Sequence, residues 1–187
     1  MHAIKGKTVL FIGVVILAIS PSLPLPDKLI ASSMVVHMLF QLPMAIFAGV
    51  LCASLLHHSS LLNTQHFAVF ASCWLWAYFS ILFWLLPVNL DKVLVDQNWD
   101  ILKLCSLFLA GIFFKNLFHS NSIIKLFFIG SLAMMLLFMG FYYQQTETRL
   151  CSGYLLDAQQ NTGVGLTLFG FILIGFFIVQ FRKDSQH

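Results

Sequence analysis

Apolar residues in this chain gather into six long runs that are separated by short polar stretches. Each run is close to the ~20 residues that an α-helix needs to cross a hydrocarbon core of about 30 Å. The short connections leave no room for a soluble domain. The pattern therefore predicts a single all-α domain, a polytopic membrane protein of about six transmembrane helices, at residues 8–25, 29–56, 66–88, 101–118, 123–143 and 163–181.

Two of these runs, 8–25 and 101–118, depart from a simple transmembrane pattern. Residues 8–25 resemble a secretory signal peptide, but the one plausible cleavage point, after Ser20, places Pro21 next, and proline there blocks cleavage. We therefore expect this run to be retained as a first helix that ends at the following prolines. The fourth run is short and carries Lys103 and Lys115 near its ends.

Composition agrees with a membrane protein and excludes several classes of function. The 187 residues are 59% hydrophobic and 9% charged, whereas soluble domains carry about 25% charged residues. The net charge of +3 comes without a basic run or a stacking motif, so we expect no nucleic-acid partner. Metalloprotease, hydrolase, P-loop and dinucleotide signatures are absent from the sequence, so we expect no enzymatic activity.

Charge placement predicts the orientation. With six spans, both termini share one side, and that side holds six of the ten basic residues: Lys5, Lys7, Lys115, Lys125, Arg182 and Lys183. Because basic loops stay in the cytoplasm, we expect an inner-membrane protein with both termini cytoplasmic. The opposite side carries most of the acids, which makes it either an ordinary solvated face or one that attracts cations.

The second run contains the stretch MVVHMLFQLP, residues 34–43, with a histidine well inside the apolar segment. Met34, His37, Met38 and Gln41 share one helix face, since positions three and four apart stack. In the predicted orientation His37 lies roughly 12 Å below the outer interface. Pro43 is expected to loosen the turn that follows it.

Other groups with ligand chemistry reach a similar depth. They are Met135 and Met139 on the fifth run, Cys105 on the fourth, Cys151 in the outer loop, and Asp157 at the start of the sixth run. Thioether, thiolate and imidazole together form the donor set that Cu(I) prefers. We therefore take copper as the candidate metal, with His37, Met34 and Met38 as ligands and Asp157 at the mouth of the site.

Structural readings of the same residues stay open. An intramembrane histidine often hydrogen-bonds to a neighbouring helix, and methionines often fill core gaps. Cys105 and Cys151 are alternatively a disulfide pair on an oxidising outer face. Four further histidines lie near helix ends and are expected to be solvated: His57, His58, His66 and His119. A haem with two histidine ligands is not expected, because only His37 lies deep in an apolar run.

Three segments resemble the polytopic assembly factors of caa-type cytochrome oxidases, the CtaG-like membrane proteins. His37-Met38-Leu39-Phe40-Gln41 resembles that family's HMxxH-type motif, with Gln41 in place of the second histidine. Residues 86–91, followed by Trp99 and Gly111, and residues 157–163 resemble two further family segments. The resemblance covers residues 29–168, and the chain is about one helix shorter than the family usually is. It implies a role in forming the copper site of a haem-copper oxidase.

Three functional expectations follow. The first is a membrane protein that assists assembly of, or copper delivery to, a copper-containing membrane enzyme such as a terminal oxidase, with membrane lipids and that enzyme as partners. The second is a non-catalytic structural subunit of a membrane enzyme complex. A small proton-coupled transporter is disfavoured, because no acidic residue lies deep in any run and no inverted repeat is visible.

Overall fold

The computed structural model describes residues 9–16, 34–55, 67–117, 122–151 and 154–184, and the regular structure in these ranges is helical throughout. The predicted all-α fold is confirmed. In chain order the elements are α1 (9–16), a π-helix (Val36–Gln41) that continues into α2 (Leu42–Leu55), α3 (Phe67–Leu85), α4 (Pro87–Val95), α5 (Gln97–Leu117), α6 (Ser122–Gln145) and α7 (Leu156–Asp184).

Three of the described helical segments are long and apolar enough to cross a membrane: Val36–Leu55, Ile124–Gln145 and Leu156–Val179. A fourth span is reached if the bent pair α3 and α4 counts as one. These segments support membrane association. Of the other two predicted spans, the first is described only at residues 9–16, and the fourth corresponds to α5, which is not among the candidates. The number six therefore stays a prediction.

The third predicted span, 66–88, is interrupted near its end. Leu86 is extended (φ −74°, ψ 130°), as expected for a residue before proline, and Pro87 occupies the first turn of α4. The two helices meet at a bend of 74°. Three side chains bond to carbonyls at the break: Asn89 Nδ2 to Phe83 O at 2.7 Å, Tyr143 Oη to Leu85 O at 2.6 Å, and Cys151 Sγ to Pro87 O at 3.3 Å.

The sixth predicted span, 163–181, is longer in the structure, where α7 begins at Leu156. Asp157 lies in its first turn, where a carboxylate interacts favourably with the helix dipole. Polar residues 157–162 are therefore helical, although the apolar run starts only after them. Gln159 of this turn accepts a bond from Leu150 N at 2.9 Å and so ties the preceding loop to the helix.

The helices pack as two groups, and glycines permit the closest approach within each. In the first group α2 and α5 meet at Gly49 and Gly111, where a Cβ on Gly49 would collide with the carbonyl oxygen of Phe108 and lie 2.9 Å from Gly111 Cα. In the second, α6 and α7 meet at Gly140 and Gly163, where a Cβ on Gly163 would lie 2.7 Å from Gly140 O. The helices α3 and α4 pack with the first group.

Candidate functional site

The stretch 34–43 forms a helix with one wide turn. Residues 36–41 are π-helical, and the Leu42 N–H donates to His37 O, five residues back. Pro43 has no N–H and cannot make the α-helical bond to the carbonyl four residues before it, so the turn before it is free to widen. The expectation that Pro43 loosens the turn after it is wrong, because α2 is regular from Leu42 onward. π-turns of this kind occur frequently at functional sites.

The predicted common face of this stretch is confirmed, and it points into the protein. The exposed fractions are 0% for Met34, 4% for His37, 2% for Met38 and 0% for Gln41. The two methionines belong to one buried cluster together with Met135 and Met139 of α6. The structure thus gathers thioethers from two helices in the core that also holds the imidazole.

His37 is held by Gln41. The ring nitrogen Nδ1 lies 2.8 Å from Oε1 of the glutamine, four residues along the same helix. Lys103 of α5 donates from Nζ to the same oxygen at 2.7 Å. An ammonium group can only donate, so the shared atom is the amide oxygen and not the amide nitrogen. Nδ1 of His37 must then be the protonated nitrogen, and a neutral imidazole carries its lone pair on Nε2.

Lys103 is completely buried and extends this arrangement to a carboxylate. Its Nζ lies 2.7 Å from Oδ1 of Asp100, one turn earlier on α5, and Asp100 is itself only 8% exposed. A buried lysine is costly unless it is paired, so the ion pair is what permits the charge in the core. The result is a buried chain of four side chains, which we call the polar chain: His37, Gln41, Lys103 and Asp100.

The donor chemistry of this region fits Cu(I). Imidazole nitrogen and thioether sulfur are soft or borderline donors, and His37 carries Met34 and Met38 beside it on a buried face. Among the residues that the structure describes, no three His, Cys, Asp or Glu side chains come together as a metal-binding group.

The remaining candidate residues are distributed differently. Asp157 is exposed in the first turn of α7. The side chain that hydrogen-bonds to His37 Nδ1 is Gln41. All four cysteines are free thiols, with Cys105 exposed and Cys151 buried, so the disulfide alternative is not realised. The histidines expected near helix ends, at positions 57, 58, 66 and 119, lie outside the described residues.

Cys151 lies in an acidic, buried setting beside the α3–α4 break. Burial raises the pKa of its thiol to about 12, with a further contribution from the carboxylate of Asp91, which also hydrogen-bonds to the thiol. Burial likewise raises the pKa of the Tyr154 phenol, helped by Cys151, Asp91 and Asp100. The thiol is therefore protonated at neutral pH.

The place of Lys103 and Asp100 in the polar chain was not predicted from the sequence. Lys103 was noted near the start of the fourth run without a role, and Asp100 immediately precedes that run. Their spacing of three residues on one helix was the available signal, since it allows an ion pair. The bond that Lys103 donates to Gln41 joins two distant parts of the chain, which no local pattern reveals.

The three segments that carry the family resemblance are all placed at buried contacts. Residues 37–41 form most of the π-helix, residues 86–91 contain the α3–α4 break, and residues 157–163 form the first turns of α7. Within the last segment, Gln159 is 2% exposed and Thr162 is 0% exposed. Comparison of the chain with protein-family models, curated proteins and solved structures gives no match.

Proposed function

We propose that this protein is an inner-membrane helper that assists assembly of a copper-containing membrane enzyme, such as a haem-copper oxidase, by holding and handing over Cu(I). Copper is cargo in this proposal, and the protein catalyses no reaction. The partners are membrane lipids and the client enzyme, and both termini face the cytoplasm. The site is His37 with Met34 and Met38, near the outer leaflet, and we assign to Asp157 the role of attracting the cation towards it.

One observation carries the proposal, namely the hydrogen bond of His37 Nδ1 to Oε1 of Gln41. Gln41 and Lys103 together fix the proton on Nδ1, so a neutral imidazole has its lone pair on Nε2. Metal-binding histidines are commonly oriented in this way, with the second nitrogen donating to an oxygen. Thioethers from Met34 and Met38 supply the soft donors that favour Cu(I) over Zn²⁺ or Mg²⁺.

The charges of the polar chain are compatible with a cation nearby. Lys103 alone would repel Cu(I), but the carboxylate of Asp100 at 2.7 Å balances it. The pair therefore adds no net charge to the core. Gln41, Lys103 and Asp100 orient His37 without supplying a ligand themselves, because Gln41 Oε1 is a hard donor and already accepts from Lys103.

A complementation experiment tests delivery. A strain that lacks this chain is complemented with the wild type, with His37→Ala, or with Met134→Leu, which alters an exposed methionine on α6 as a matched control. Copper per haem is then measured in the purified terminal oxidase. We expect copper-depleted oxidase in the deletion and His37→Ala strains, and full copper with the wild type and the control. Full copper in the His37→Ala strain contradicts the proposal.

A structural subunit is the second candidate function, and a specific observation favours it. Several buried or half-buried polar side chains each connect one helix to another: Tyr143 donates to Leu85 O, Trp84 to Ser106, and Gln144 to Thr167. A protein whose polar groups serve only packing needs no metal. If the chain co-purifies stoichiometrically with a larger complex whose activity survives His37→Ala, this second function is the correct one.

A further inference from the structure

The two helix groups are separated by a cleft. They touch at one end, where a Cβ on Gly165 of α7 would collide with Leu39 of the π-helix and where Tyr143 bonds to Leu85. They touch again where the rings of Trp74 on α3 and Phe128 on α6 lie 4.8 Å apart. A cavity of about 450 Å³ extends between these contacts.

The wall of this cleft is apolar at every lining position. One side runs from Met38 to Val50 along the π-helix and α2, and the other from Leu166 to Leu173 on α7; α3, α5 and α6 complete the lining. The thirteen residues from Met38 to Val50 extend over about 18 Å of helix, which is more than half of the hydrocarbon thickness of about 30 Å. Both sides belong to candidate membrane spans, so the surrounding medium at this depth is hydrocarbon.

The size and chemistry of the cleft decide among occupants. Water is disfavoured, because a buried water needs two to four polar partners and the lining side chains provide none. A linear hydrocarbon chain is thin, apolar and available in the bilayer, and a volume of about 450 Å³ lies within the range of small-molecule sites.

We propose that the cleft between α2 and α7 binds one acyl chain of a membrane phospholipid, which joins the two helix groups. The stabilisation comes from packing contacts rather than from leaving water, since the chain moves from one apolar medium to another. This inference does not depend on the proposed copper function.

Matched tryptophan substitutions test the proposal. Leu173→Trp and Val50→Trp fill the cleft from opposite sides, whereas Leu168→Trp places the same side chain on α7 at a position that is 57% exposed and not part of the lining. Each protein is delipidated in detergent, and the phospholipids that remain are counted by native mass spectrometry. The melting temperature is then measured before and after addition of palmitoyl-oleoyl-phosphatidylethanolamine.

We expect the wild type and Leu168→Trp to retain about one phospholipid and to gain melting temperature on lipid addition. The two cleft variants should lose the retained lipid and most of the gain. A wild type that retains no lipid, or cleft variants that retain lipid and respond as the wild type does, overturns the proposal. If a tryptophan variant fails to fold, Leu173→Phe with Leu168→Phe as its control gives the same comparison with a smaller side chain.

Discussion

The imidazole of His37 and the ammonium of Lys103 bond to one atom, Oε1 of Gln41, at 2.8 and 2.7 Å. The glutamine is thus the acceptor for two donors that come from different helices. Its amide oxygen sets the orientation of the histidine ring, and it gives a buried lysine a second partner besides Asp100. The stability of the core and the state of His37 therefore depend on the same residue.

Gln41→Leu should destabilise the protein, because it leaves the His37 N–H without this acceptor and removes one partner of a buried ammonium group. Unsatisfied buried donors cost about 1–3 kcal/mol each, so we expect a loss of roughly 2–4 kcal/mol in the free energy of unfolding. Gln160→Leu is the matched control, since Gln160 is exposed on α7. Denaturation in mixed micelles measures both. Equal stability of Gln41→Leu and Gln160→Leu would show that the shared oxygen contributes nothing.

Lys103→Met should destabilise the protein strongly as a single substitution and much less when Asp100 is replaced as well. Removal of one partner from a buried ion pair costs about 3–5 kcal/mol, because the other charge stays buried, whereas replacement of both by apolar residues is close to neutral. We therefore expect Lys103→Met to unfold the protein more readily than the double variant Lys103→Met with Asp100→Leu. Lys92→Met, which removes a surface lysine over the Trp99 ring, is the control and should cost about 1 kcal/mol or less. Strictly additive single effects would contradict the ion pair.

Gly49→Ala and Gly130→Ala should change stability in opposite directions. A Cβ at Gly49 collides with the backbone of α5, so the two helices must move apart, at a cost of about 1–3 kcal/mol. Gly130 lies inside α6 with no atom within 4 Å of an added Cβ, and alanine there should stabilise the helix by about 0.5–1 kcal/mol. The melting temperatures of the two variants, compared with that of the wild type, test this prediction. A loss of stability in both variants would mean that the close approach of α2 and α5 is not the cause.

Cys151 should resist alkylation at pH 8, and its deprotonation should lower the stability of the folded protein at high pH. Its pKa is raised from 9.0 to about 12 in the folded state, so the folded protein holds the proton after the unfolded chain releases it. The contribution of this group to stability is therefore complete below pH 9 and falls as the pH rises from 9 to about 12, by about 1.4 kcal/mol per pH unit.

Peptide-level mass spectrometry after iodoacetamide treatment measures the alkylation of Cys151, and unfolding in detergent should restore its reactivity. Comparison of wild type with Cys151→Ala between pH 9 and 12 isolates the stability effect from other titrating groups. Asp91→Asn should lower the pKa of the thiol, since it removes a negative charge beside it. Rapid labelling of the folded wild type at pH 8 would refute the raised pKa.

Most of the helical architecture could be predicted, because long apolar runs and prolines act locally. The run at 123–143 predicts α6 (Ser122–Gln145) almost to the residue. The break at Leu86 was harder to predict, since Pro87 near the end of a span is compatible with either a bend in the helix or its end. The helical residues 156–162 were missed because most of them are polar and because tertiary bonds hold them, such as the one that Leu150 N donates to Gln159.

The candidate site was predicted in part. The buried face of Met34, His37 and Met38 follows from helical spacing alone. Gln41 was read as a weakened ligand position, whereas in the structure it orients the histidine. The role of Lys103 was not predicted. A lysine near the end of an apolar run suggests the exposed end of a transmembrane helix. In the structure Lys103 is fully buried, and its distant partner Gln41 helps to explain why.

The most direct measurement is the copper stoichiometry of the detergent-purified protein, loaded with Cu(I) under reductant, for wild type and His37→Ala side by side. We expect one equivalent in the wild type and its loss in the variant, with Met134→Leu retaining the copper. Gln41→Leu should bind more weakly than the wild type, because the ring orientation is no longer fixed. Equal and negligible copper in wild type and His37→Ala would contradict a copper site at His37 and leave the structural role.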